Sequence, residues 1–166
     1  MNTYIFLYPE TSFFEVNLVA YFMKTKGNVF IVTERENKII CTNEGVKILS
    51  DAFIDEVQVE DIDAFIICGG EIKNISNKPL LYNIINKCKE KNKIVGGICA
   101  GRDLVKNAID LVDHSEKTCV IDNIILSPGY EYVDFALEVG RKADIFEDED
   151  DYKETINFFK FFQHPE

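Results

Sequence analysis

A cysteine set between small residues is the first feature of the chain that could do chemistry. Residues 97–101 read Gly-Ile-Cys-Ala-Gly, with the apolar run KIVGGI (93–98) before the cysteine and a helical pattern from about Ala100 onward. A sharp turn from strand to helix presents its central side chain above the sheet and tolerates only small neighbours. The amino end of a helix carries a charge of about +0.5, which can lower a cysteine pKa from ~8.5 to between ~3.5 and ~7.5. Cys99 is therefore a candidate nucleophile, although a small buried thiol in a glycine-rich turn would have the same sequence.

A carboxylate lies on the apolar face of the first predicted helix, which extends over about 12–26 with Ser12 as its candidate N-cap. Leu18, Val19 and Phe22 follow Glu15 at the spacing of one helical face. A charged group on that face costs free energy unless it is paired or protonated. Because this helix follows the first strand, Glu15 should reach the edge at which the cysteine turn emerges, and a protonated carboxyl there could donate to the thiolate. A carboxylate that bends out to solvent at the helix start is the alternative.

Two further glycines end the predicted strand DAFIIC (63–68). Gly69 and Gly70 allow backbone N–H groups to approach a ligand closely. The N–H of Gly70, together with that of Ala100, could form an oxyanion hole for a tetrahedral intermediate. A plain turn after a strand is the alternative interpretation.

The elements that must position these residues alternate between strand and helix. The patterns predict strands at about 3–8, 28–34, 63–70 and 93–98, a hairpin over 37–49, two short strands within 118–127, and helices at about 12–26, 79–91, 100–108, 131–142 and 149–162. Helical connections of this length imply an α/β fold with a mainly parallel central sheet and helices on both faces, in one domain spanning 1–166. In such a sheet, ligands bind beyond the carboxyl ends of the strands. This rule predicts that the binding site is formed by residues 9–14, 68–71 and 99–102.

The composition narrows the classes of partner. The chain has 166 residues and a net charge of −11, and it lacks a cluster of lysines and arginines that could neutralise a run of phosphates. We therefore expect a small-molecule substrate, with neither nucleic acid nor a membrane surface as partner. Residues 1–12 lack the basic segment and the long apolar run of a secretory signal, so the expected location is cytoplasmic. Five cysteines without Cys-x-x-Cys spacing indicate reduced thiols, and we expect no metal site and no cofactor.

The series of motifs resembles the ThiJ/PfpI superfamily over nearly the whole chain. It consists of a glutamate on the first helix, the glycine pair after a central strand, the turn at 97–101, and ILSPG (125–129) before a helix. The resemblance implies a flavodoxin-like three-layer sandwich that is usually dimeric, so we expect a homodimer. The site residues that it implies are Cys99 as nucleophile, Glu15 as its hydrogen-bond partner, and Gly69, Gly70 and Ala100 around the substrate.

A histidine is the third catalytic element of the superfamily. Some members place it directly after the nucleophile, where this chain has Ala100, and others place it after the helix that follows, where this chain has His114. We take His114 as the catalytic histidine, with a solvated loop residue as the alternative. The segment between Cys99 and 125–129 is shorter than the resemblance predicts, which indicates reduced cover over the pocket. Arg102 should lie either at the pocket mouth or exposed at the helix start.

The resemblance leaves several functions open. The leading hypothesis is a cysteine-dependent enzyme of the glyoxalase, deglycase or hydrolase type, acting on a small carbonyl or acyl compound. The main alternative is a redox sensor or chaperone in which Cys99 is oxidised reversibly, and a third is a binding domain with an unreactive thiol. His-Pro-Glu at 164–166 resembles the end of the Cys/His/Glu triad of glutamine amidotransferases. It follows a predicted helix instead of a strand, so we interpret it as a coincidence.

Overall fold

Strands and helices alternate through the chain, of which the computed structural model describes residues 1–164. The strands are β1 (Asn2–Phe6), β2 (Asn28–Thr33), β3 (Ile39–Cys41), β4 (Lys47–Leu49), β5 (Ala52–Phe53), β6 (Ala64–Ile67), β7 (Ile94–Ile98), β8 (Cys119–Ile121) and β9 (Ile124–Ser127). The helices are α1 (Phe14–Lys24), α2 (Pro79–Glu90), α3 (Ala100–Ala108), α4 (Tyr132–Lys142) and α5 (Glu149–Phe161).

The central sheet has the strand order β5-β2-β1-β6-β7-β9-β8, and β3 with β4 forms a separate antiparallel hairpin. Within the central sheet the neighbouring strands are parallel, apart from the antiparallel pair β8–β9. Ile67 pairs with Gly97, and Ile98 pairs with Ser127. The carboxyl ends of β6, β7 and β9 therefore meet at one edge of the sheet.

Burial explains why β6 and β7 form the middle of the sheet. Every residue of both strands is buried, as expected for parallel strands covered on two faces. Helices α1, α4 and α5 pack on one face, and α2 and α3 pack on the other. The predicted α/β sandwich with a mainly parallel sheet is confirmed.

The start of α1 differs from the sequence prediction. Ser12 is not the N-cap, because the helix begins at Phe14 and no side chain caps it. The N–H of Ser12 instead donates to the carbonyl of Gly69 at 3.0 Å. This bond ties the segment before α1 to the loop after β6, and so brings two of the predicted site segments together.

Candidate functional site

Cys99 lies at the turn between β7 and α3 with a backbone conformation that side chains other than glycine rarely adopt. Its φ is 54° and its ψ is −120°. The N–H of Cys99 donates to the carbonyl of Ser127 at 2.9 Å, and the Cys99 carbonyl accepts from the N–H of Arg102 at 3.1 Å. The residue is exposed to solvent. The turn is therefore held from the neighbouring strand and from the helix, and the strain is retained because both bonds fix it.

Glu15 faces Cys99 from the first turn of α1. Only 3% of Glu15 is exposed, and its Oε2 atom accepts no hydrogen bond from the described residues. Burial raises the pKa of Glu15 from 4.5 to about 7, although the thiol of Cys99 and the N–H of Gly69, which face the carboxyl, act in the opposite direction. A carboxyl with this pKa gains or loses a proton near neutral pH, so it can exchange one with the thiol.

The thiol of Cys99 has a pKa above its ordinary value. The residue as a whole is exposed, but the thiol is half-buried, and this partial burial is the largest cause of the raised pKa. The charge of the Glu15 carboxylate raises the pKa further. The N–H groups of Ala100 and Gly70 lower it without offsetting those two effects. The sequence prediction of a lowered thiol pKa is therefore wrong in direction, because the prediction counted the helix terminus and omitted the desolvation of the thiol and the facing carboxylate.

Two glycines enclose the Glu15–Cys99 pair. A Cβ atom on Gly69 would lie 2.1 Å from Oε2 of Glu15 and 2.5 Å from Cβ of Cys99. A Cβ atom on Gly129 would lie 2.7 Å from Oε1 of Glu15 and 3.4 Å from Sγ of Cys99. Sequence reasoning placed Gly69 at the site and missed Gly129, although the Pro-Gly pair directly after a strand was a usable signal.

Gly70 is held in place by the segment that precedes α1. Its φ is 140°, in the region that favours glycine, and it forms an isolated bridge with Thr11. The hydroxyl of Thr11 donates to the Gly69 carbonyl at 2.8 Å. The N–H groups of Gly70 and Ala100 both face the thiol of Cys99. The assignment of these two groups as oxyanion donors stays a prediction that this geometry suits.

An open cleft of about 590 Å³ lies above Cys99. Its lining residues are Gly70, Ile72, Cys99, Ala100, Arg102, Asp103, Lys106, Asp113, His114, Ser115, Pro128, Gly129 and Tyr130. The structure thus brings His114 and Cys99 to one cleft, although no hydrogen bond joins them within residues 1–164. His114 is exposed on the loop between α3 and β8, so its catalytic role stays a prediction.

Arg102 lies in the wall of this cleft and is buried. Its side chain is 10% exposed and forms an ion pair with Asp113, whose side chain is 7% exposed. The expectation that Arg102 lies at the pocket agrees with this position, and the alternative of an exposed arginine is wrong. Sequence reasoning missed Asp113, because an ion pair across a loop leaves no spacing pattern in the chain.

The family follows from a match over most of the chain. A family model described as DJ-1/PfpI matches residues 1–145. The chain belongs to the DJ-1/PfpI family. The resemblance to the ThiJ/PfpI superfamily is therefore confirmed. Protein DJ-1 homolog B of Arabidopsis thaliana is 26% identical over 92 residues, which is 54% of this chain and 21% of that protein. The match thus covers about a fifth of that relative's length.

Solved structures of DJ-1/PfpI proteins share the fold. A DJ-1 superfamily protein from Agrobacterium tumefaciens has a TM-score of 0.81 at 17% identity, over 98% of this chain and 100% of that one. Schizosaccharomyces pombe DJ-1 has a TM-score of 0.78 at 18% identity, over 96% and 99% of the two chains. An oxidised DJ-1 from Toxoplasma gondii has a TM-score of 0.75 at 16% identity, over 93% and 95%. These similarities establish the fold of this DJ-1/PfpI chain.

The remaining sequence predictions concern the C-terminus, metals and membranes. His164 lies after α5, with its ring 6.1 Å from the ring of Phe158, and it does not line the Cys99 cleft. Residues 165–166 of the His-Pro-Glu stretch lie outside the described residues. Within residues 1–164 no group of three or more His, Cys, Asp or Glu side chains could hold a metal ion. In the same part of this DJ-1/PfpI chain, no helix has both the length and the apolar surface to cross a membrane.

Proposed function

We propose that the protein is a cysteine-dependent enzyme that acts on a small carbonyl or acyl compound, by glyoxalase, deglycase or hydrolase chemistry. The observation that carries the proposal is the buried Glu15 carboxyl against Cys99 at a strained strand-to-helix turn. The N–H groups of Gly70 and Ala100 face the same thiol, and the open cleft above it admits a small molecule. Together these groups supply a nucleophile, a proton acceptor and an anion site.

Glu15 acts as the base when Cys99 attacks the substrate. The pKa of Glu15 is about 7, and that of the thiol is raised above 9.0, so above neutral pH the carboxylate is ionised while the thiol keeps its proton. Attack forms the bond between Sγ and the carbonyl carbon, and the thiol proton passes to Glu15. The electron pair of the C=O π bond moves to oxygen, where the N–H groups of Gly70 and Ala100 stabilise it.

Completion of the reaction with a 2-oxoaldehyde needs further proton transfers. Glu15 first returns the thiol proton to the alkoxide, which gives a hemithioacetal at the aldehyde carbon. His114, in the cleft wall, removes the proton from that carbon, and the hydroxyl proton of the hemithioacetal passes to the neighbouring ketone oxygen. His114 then delivers its proton to the former ketone carbon, which leaves a thioester of a 2-hydroxy acid. Water then hydrolyses the thioester and the Cys99 thiol is regenerated. The aldehyde carbon is oxidised and the adjacent ketone carbon is reduced, so no external oxidant or reductant is required.

Replacement of Cys99 tests the proposal. We expect Cys99→Ser to abolish turnover of methylglyoxal, or of simple esters and amides if the protein is a hydrolase. Cys41→Ser is the matched control, because Cys41 is also exposed but lies on the separate β3–β4 hairpin. Lactate formation and ester cleavage are measured for the three proteins. Equal turnover by the wild type and Cys99→Ser would contradict the mechanism.

Redox sensing through the same thiol is the second candidate. The exposure of Cys99 favours it, since peroxide reaches this sulfur directly, whereas Cys68 and Cys88 are buried. A relative of the same fold has been solved in an oxidised form. Mass spectrometry after mild peroxide treatment distinguishes the candidates: selective oxidation of Cys99 in a protein that turns over none of these substrates favours sensing over catalysis.

A further inference from the structure

We propose that Arg102 and Asp113 form a latch that holds the loop 111–118 against the cleft and so positions His114 over Cys99. The name latch refers to this ion pair alone. Arg102 would thereby be a positioning residue, acting through His114. The kinetic consequence rests on the proposed cysteine chemistry, whereas the effect on the loop does not.

The ion pair holds the residues on both sides of His114. The guanidinium of Arg102 donates to the Asp113 carboxylate and also to the carbonyl of Ser115. The second carboxylate oxygen of Asp113 accepts from the N–H of Ser115 at 2.8 Å. His114 lies between these two residues in the chain, so its backbone is fixed from either side. An exposed histidine on a free loop would lack this restraint.

The position of Arg102 in α3 does not stabilise the helix. Arg102 is in the first turn, where the helix terminus is partially positive, and a guanidinium there is electrostatically unfavourable. The pair is also largely desolvated, with 10% and 7% of the two side chains exposed. Desolvation offsets much of the attraction in such a pair, so its clearer effect is to select one loop geometry. The Asp113 carboxylate offsets both costs, that of a cation in the first turn of α3 and that of a desolvated guanidinium.

Further contacts hold the same loop, among them one from α3 and one from the segment that precedes α4. Lys106, one turn further along α3, donates to the carbonyl of Asp113 at 3.0 Å. The hydroxyl of Tyr130 donates to the carbonyl of Glu116 at 2.7 Å from the opposite side of the cleft. Both contacts end on backbone carbonyls, whereas the latch joins two buried charges. Loss of Arg102 therefore removes the hydrogen bond and the main opposite charge from the Asp113 carboxylate; Lys106 is a second positive charge near it but hydrogen-bonds to the Asp113 carbonyl.

Hydrogen exchange of the loop tests the latch directly. We expect Arg102→Gln to reduce protection of the amides in 111–118 by about tenfold or more, while the amides of β7 keep theirs. Arg35→Gln is the matched control, because Arg35 also pairs with carboxylates, Asp55 and Glu56, but is 55% exposed. Arg102→Lys keeps the positive charge but lacks the planar guanidinium, so we expect it to lose less amide protection than Arg102→Gln. It provides the test if Arg102→Gln does not fold.

The kinetic test uses His114 as the reporter. We expect Arg102→Gln to lower kcat about tenfold with a smaller change in KM, and Arg102→Lys to restore part of it. Because Arg102 acts through His114, the double variant Arg102→Gln/His114→Gln should be no slower than His114→Gln alone. Unchanged loop protection, or losses that multiply in the double variant, would overturn the latch. A wild type without turnover refutes the proposed function, and hydrogen exchange still decides whether the latch exists.

Discussion

Replacement of Glu15 by glutamine should remove a specific pH dependence of stability. Burial raises the Glu15 pKa from 4.5 to about 7, so between these values the folded protein binds a proton that the unfolded chain has lost. The free energy of unfolding must therefore fall as pH rises through that window and become level above it. At about 1.4 kcal/mol per pH unit, the loss attributable to Glu15 is about 3 kcal/mol.

Glutamine has nearly the same shape as glutamate and does not ionise. We therefore expect the stability of Glu15→Gln relative to the wild type to increase by about 3 kcal/mol between about pH 4 and about pH 8. Urea denaturation at half-unit pH steps gives the free energy of unfolding of both proteins. Subtracting one curve from the other cancels the titration of the other carboxyl groups.

The same variant separates the structural role of Glu15 from its chemical role. In the proposed mechanism Glu15 is the base, so alkylation of Cys99 by iodoacetamide should accelerate through about pH 7 in the wild type, and this inflection should be absent in Glu15→Gln. Glu60→Gln is a control, because Glu60 pairs with Lys91 and is not among the groups that shift the pKa of Glu15. A stability difference between wild type and Glu15→Gln that does not change with pH would refute the assignment of a buried Glu15 with a raised pKa.

Three further predictions concern Cys99 and the neighbouring loop after β6. Cys99→Gly should be more stable than Cys99→Ala by about 1–3 kcal/mol in urea denaturation, because glycine adopts a φ of 54° without strain; equal stability would mean that the turn is unstrained. Gly69→Ala should lower the free energy of unfolding by about 1–3 kcal/mol and slow alkylation of Cys99, since the added Cβ overlaps Glu15. In the native protein, iodoacetamide followed by peptide mapping should label Cys99 and leave Cys68, which is fully buried with a raised pKa.

The order of elements was predictable because each strand and helix carries its own apolar period. The parallel sheet, the turn at Cys99 and the position of Glu15 on the buried face of α1 follow from residue spacing alone. The spacing of apolar residues is a local property of each strand or helix, and it largely decides whether one face or both faces of that element are buried. The start of α1 was predicted less accurately, because Ser12 makes a long-range backbone hydrogen bond to Gly69 and is not the N-cap that the sequence suggests.

The protein's sequence by itself determined the α/β fold, the family and the position of Cys99 at a strand-to-helix turn, since these depend on patterns along the chain. Only the tertiary structure decided the direction of the Cys99 pKa shift and the pairing that holds the loop 111–118. Whether Cys99 has a raised or a lowered pKa depends on how far the thiol is desolvated and on the carboxylate that faces it, and Glu15 is distant in the chain. Arg102 and Asp113 meet across a turn that has no sequence period, so only the packed structure could pair them.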